Sequence, residues 1–108
     1  MTGIVTVYAT FANADEAGRI AGVLVEERLA ACANILSPCR SIYRWQGAIE
    51  DAQEVPALFK TPAALAPRLI ARIAELHSYD VPAAVAWPIA EAVPAYAAWV
   101  SAETKEPA

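Results

Sequence analysis

SIYRWQGAIEDAQEVPALFKT, residues 41–61, holds two extended runs on either side of a Gln46-Gly47 reversal. Side chains alternate along a strand, so Ile42, Arg44 and Gln46 share one face while Tyr43 and Trp45 share the other. Gly47 supplies the positive φ that a tight reversal needs, and Ile49 and Val55 resume the apolar pattern after it. The segment therefore predicts a long β-hairpin with two large aromatics on one face. Its return strand is expected over 54–60, and Pro56, which has no N–H for the ladder, predicts an edge or a bulge there.

The flanking sequence supplies the other elements. Residues 3–10, GIVTVYAT, are β-branched and apolar on both faces, the pattern of a central strand. Asn13 is placed to cap a helix over 15–29, where Ala17, Ile20, Ala21, Leu24 and Val25 recur at helical spacing and Asp15 and Glu16 favour the first turn. The small residues of 29–33 lead into a strand expected over 34–45. A second helix is expected over 64–76, with Leu65, Leu69, Ile70, Ile73 and Leu76 as its apolar stripe and Pro67 in its first turn. Residues 81–89 read as the last strand and 93–103 as a closing helix carrying Tyr96 and Trp99; 104–108 are polar and expected to fray. Two crossovers around a hairpin give an α+β, ferredoxin-like chain, βαββαβ plus a C-terminal helix, with both helices on one sheet face and the other face open.

Composition sets outer bounds. At 108 residues the chain is one domain, 1–108, large enough for one core. Hydrophobic residues reach 57% while charged ones stop at 19%, so apolar surface is left to be covered, most simply by a closed ring of identical subunits. A net charge of −4 with eight scattered Lys and Arg argues against nucleic acid. No apolar run reaches the roughly 18 residues that a membrane span needs, and no basic segment leads into an apolar one, so a cytoplasmic protein is expected. Cys32 and Cys39 form neither a disulfide framework nor a C-x-x-C pair and are expected to be reduced.

His77, the only histidine, either closes the second helix or ligates a metal; the second role needs Cys32, Cys39, Glu54 or Asp80 from distant segments or another subunit. Cys32 lies in a small apolar run that suits core packing better than nucleophilic chemistry. Glu54 and Lys60 fall on one strand face roughly 20 Å apart, too far to pair within a straight strand. Tyr43, Trp45, Tyr79, Tyr96 and Trp99 are either interface anchors or the walls of a pocket. With no nucleophile-base pair, no spaced ligand cluster and no glycine-rich anion loop, an enzyme is not expected.

Taken together, RLAACANI (28–35), the 41–61 segment, HSYDVPAAVAWPI (77–89) and YAAWV (96–100) resemble, in order and spacing, the CutA family of divalent-cation tolerance proteins. The resemblance implies a homotrimer built like the PII signalling proteins, with each hairpin reaching a neighbouring subunit. It implies an inter-subunit cleft lined by Tyr43, Trp45, Glu54, Lys60, Thr61, Tyr79, Tyr96 and Trp99. It also implies a response to metal ions, with no required cofactor and at most weak binding of copper or another divalent cation, His77 being the candidate ligand. The alternative is a PII-like small-molecule sensor using that cleft.

Overall fold

A computed structural model describes residues 2–107. Along the chain run β1 (Ile4–Phe11), α1 (Ala14–Glu26), β2 (Cys32–Ile35), β3 (Cys39–Trp45), β4 (Ala48–Pro62), α2 (Ala66–Leu76), β5 (Ala84–Pro88) and α3 (Pro94–Glu103), with a 3-10 turn at Ala63–Leu65 leading into α2. The strands lie in the order β2-β4-β1-β5, all neighbours antiparallel, and β3 continues along β4 beyond β2. This is the expected ferredoxin-like, α+β arrangement.

Alternation along the two inner strands builds the core. Val5, Val7, Ala9 and Phe11 of β1 and Val55, Ala57 and Phe59 of β4 pack against Ala17, Ile20 and Leu24 of α1 and Leu69 and Ile73 of α2. Both helices therefore cover one sheet face, as their apolar stripes require. The other face is not wholly open. α3 closes one end of it, where Val100 packs with Ile4 and Ala31 and with the partly buried Tyr96 and Ala97.

Several boundaries differ from the sequence expectation, each for a local reason. The strand expected over 34–45 is two strands, because Ile35 faces Ala57 and Cys39 faces Glu54, leaving the three residues 36–38 opposite only Val55 and Pro56. The bulge expected at Pro56 thus lies in its partner, and β4 is an inner strand rather than an edge. Pro56 faces Thr10 in an unbroken β1 register, and its carbonyl accepts from Leu36 N–H at 2.9 Å. The N–H it lacks would have pointed into the gap between β2 and β3, where no ladder partner stands. α1 ends at Glu26 because Arg28 turns into the left-handed region (φ 62°), letting Leu29 and Ala30 N–H reach the Leu24 carbonyl. Pro67 sits in the first turn of α2, as expected, with the 3-10 turn ahead of it.

Asn13 caps α1 by accepting from Glu16 N–H at 2.8 Å. The Glu16 carboxylate in turn accepts from Ala12 N–H at 3.1 Å and from Ser78 N–H at 3.0 Å, clasping the start of α1 to the loop after α2. Burial works to raise the Glu16 pKa, but the hydrogen bonds from Ser78 and Ala12 outweigh it and the net shift is downward. A depressed carboxyl stabilises the fold above its unfolded pKa and loses that contribution as pH falls through the folded value. Glu16→Gln should therefore cost about 1.5–3 kcal/mol at pH 7, the worth of hydrogen bonds to a charged acceptor. Guanidinium midpoints measured from pH 7 downward should converge for the two proteins; a pH-independent gap would refute the clasp.

Candidate functional site

β1 stops opposite Val55, so residues 48–54 of β4 pair only with β3 and project as a two-stranded arm. Its turn has positive φ at both central residues, 49° at Gln46 and 82° at Gly47, the conformation whose twist matches the flanking strands. Across the arm Arg40 grips Asp51 through both carboxylate oxygens, Nε to Oδ1 at 2.9 Å and Nη2 to Oδ2 at 2.6 Å, with Nε also 3.2 Å from Oδ2. The register places Tyr43 opposite Glu50 and Cys39 opposite Glu54. Both arm aromatics consequently lie on the side of Glu54, which is the sheet face away from α1 and α2.

The 79–83 loop passes beside the root of the arm, and between them lies a groove of about 570 Å³. Thr10, Ser41, Tyr43, Trp45, Glu54 and Tyr79 line it, and Asp80 and Val81 close its loop side. Glu54 is only 7% exposed, yet it sits here with no basic side chain in the lining. Its Oε2 accepts from the Tyr79 hydroxyl at 3.0 Å. Burial, followed by that hydrogen bond to Glu54, pushes Tyr79 up to about 12, so the phenol keeps its proton and acts as a donor.

His77 stands behind Tyr79. Its Nδ1 accepts from Tyr79 N–H at 3.1 Å, which leaves Nε2 to donate to the Thr10 carbonyl at 2.7 Å. The ring stacks on Phe11 with centroids 5.0 Å apart and meets Tyr79 at 4.6 Å. Both nitrogens of the expected metal ligand, His77, are thus engaged inside the chain. Among the described residues no three His, Cys, Asp or Glu side chains converge on a metal-sized position. At the helix end it is the backbone N–H of His77 that caps, bonding Ile73 O, while the side chain turns to β1.

The expected cleft residues divide into two groups. Tyr43, Trp45, Glu54 and Tyr79 meet in the groove. Lys60, Thr61, Tyr96 and Trp99 do not. Thr61 is 0% exposed and donates to the Leu29 carbonyl at 2.8 Å, because odd-numbered residues at this end of β4 face the helices. Lys60 shares the Glu54 face but pairs with Asn34 Oδ1 at 3.1 Å beside β2, so the two charges stay apart as their spacing required. Tyr96 stacks on Trp99 at 5.8 Å, and its hydroxyl lies 3.4 Å from Cys32 Sγ. Burial and the Cys32 contact push Tyr96 up to about 12. Thr10, Ser41 and Val81 were not singled out from the sequence; Thr10 was legible as a β1 residue two positions from Tyr8 on the uncovered face.

Residues 5–103 match the family described as CutA1 divalent ion tolerance protein. The divalent-cation tolerance protein CutA of Thermus thermophilus is 46% identical over 98 residues, 91% of this chain and 95% of that protein. Its counterpart in Pyrococcus horikoshii is 41% identical over 103 residues, 95% of this chain and 100% of that one. The crystal structure of CutA from Xylella fastidiosa superposes with a TM-score of 0.92 at 38% identity, covering 95% of this chain and 99% of that one. A CutA from Archaeoglobus fulgidus, described as a periplasmic divalent cation tolerance protein, gives 0.91 at 32% identity, with 94% and 99% covered. In sequence along nearly its full length, and in backbone, the chain belongs to the CutA1 divalent ion tolerance family.

Proposed function

We propose that this chain acts as a homotrimer in the response to divalent metal ions, through binding and assembly rather than catalysis. The observation that supports assembly is the apolar surface one chain leaves uncovered. Val85 and Trp87 of β5 are 51% and 43% exposed on the sheet face opposite α1 and α2, and Ile42 and Ile49 on the arm exceed 60%. Large apolar side chains are thus exposed both on that sheet face and on the opposite side of the arm, and cyclic association of identical copies is the simplest cover. Copper binding in this scheme is weak and draws ligands from more than one copy, in keeping with the lack of a converging ligand set in one chain among the described residues. No other cofactor is invoked. The free thiols of Cys32 and Cys39 suit a reducing compartment, the cytoplasm.

Light scattering coupled to size exclusion should return three times the chain mass at micromolar concentration, and Val85→Asp should yield monomers. A wild-type monomer would sink the assembly. Calorimetric titration with Cu(II) should give the same isotherm for wild type and His77→Ala, even though the substitution costs about 1–3 kcal/mol by stranding the Thr10 carbonyl and Tyr79 N–H. A lost or weakened copper site in His77→Ala would restore that residue as a ligand.

A second reading is favoured by the groove itself, whose 570 Å³ lies within the usual range for small-molecule sites and which carries one buried charged group. The chain would then be a small-molecule sensor of PII-like build. A thermal-shift screen of metabolites and nucleotides checks it, since a ligand of the native state raises stability by mass action; no shift across the library would count against it.

A further inference from the structure

We infer that the groove between the arm and the 79–83 loop binds a small organic cation, with its positive head against Glu54 and the rings of Tyr43, Trp45 and Tyr79. This rests on the second reading above, that the groove takes a ligand, and names the chemistry of that ligand.

Charge gives the sign. Two carboxylates, Glu54 and Asp80, face the groove, and no Lys, Arg or His lines it. An anionic ligand would meet two like charges in a partly desolvated site, where repulsion is least screened. Glu54 is also unfinished as an acceptor. Tyr79 takes Oε2, while Oε1 has no partner among the described residues; since no buried side-chain oxygen there is left unpaired, Oε1 must remain accessible. A carboxylate that is 7% exposed with one free oxygen stabilises a cation more than a surface carboxylate does.

The walls decide what kind of cation. Tyr43 and Trp45 are each 41% exposed and Tyr79 is 36%, so the rings are available from the groove. Aromatic faces attract a cation through their quadrupole but offer no donor atom to coordinate a metal. A hard divalent ion is held chiefly by converging carboxylates, and among the described residues no three His, Cys, Asp or Glu side chains come together to hold one. An alkylated ammonium is weakly hydrated, carries its charge over apolar methyls, and is suited by both the rings and the one acid. The hydrogen bond from Tyr79 to Glu54, together with the His77 contact to Tyr79 N–H, holds acid and ring in place before any ligand arrives.

The test is calorimetric titration of the full chain, in its native assembly at low salt, with benzyltrimethylammonium, benzyl alcohol and benzoate. The cation should bind at one per chain and at least about tenfold more tightly than either of the others. Glu54→Gln and Trp45→Leu should each weaken it about tenfold, with circular dichroism and light scattering unchanged; Trp45, exposed near the arm tip, offers a variant whose folding is not in question. Equal binding of benzyl alcohol or benzoate would overturn the cation while leaving the sensor reading intact. Absence of cation binding would also overturn it, and if Glu54→Gln then dissociated the assembly, the groove would be a contact between copies. A hit in the thermal-shift screen despite that failure would show that a different ligand class uses the site.

Discussion

β4 runs fifteen residues and lends its backbone to three partners, β1 along its C-terminal half and β2 and β3 in turn along its other edge. A strand so long outruns the two-layer core. Its C-terminal half is held by helices packed on Val55, Ala57 and Phe59, while its first seven residues have only β3 beside them. An isolated two-stranded ribbon is marginal in water, so the arm draws its order from the root, where Glu54 and Pro56 are buried. Pro56 sits where its missing N–H costs no ladder bond, opposite the gap between β2 and β3.

The loop after α2 is fixed by contacts that reach across the whole chain. Glu16 takes Ser78 N–H from the start of α1, His77 takes the Thr10 carbonyl from the end of β1, and Tyr79 takes Glu54 from β4. Three neighbouring residues thus answer to three different elements. Such a loop has little freedom to move independently of the sheet. The wall of the groove is accordingly preorganised, and the ordering cost that a mobile loop would add to binding is already met in the fold.

How much of this was legible in the sequence depended on the range of the forces involved. The arm could be read because alternation and a Gln46-Gly47 turn are local, and α1 and α2 could be read because Leu24, Leu69 and Ile73 repeat at the helical period. Thr61 was misplaced although a local signal existed: it differs in parity from Glu54 and Lys60, so it faces the opposite side of the same strand. The partners of His77 were hidden for a different reason. A histidine at a helix end advertises two free nitrogens, and only the fold brings the Thr10 carbonyl, 67 residues away, to take one of them. Pro38 marked a possible break in the strand, but the bulge at 36–38 is a property of pairing with β4, not of the segment that contains it.

The uncovered sheet face makes two demands of different kinds. Val85 and Trp87 ask only for apolar contact, and any surface of matching shape satisfies them at a rate near 25 cal/mol per Å² removed from water. Glu54 asks for something specific. If a neighbouring copy closed the groove with apolar atoms alone, the free oxygen of that carboxylate would be buried without a partner, a loss that can exceed the gain from the covered area. Whatever covers the arm root must therefore bring a hydrogen-bond donor or positive charge to that oxygen, or leave the groove wet. The apolar face can select for association, but the acid within it sets the chemistry that the association has to respect.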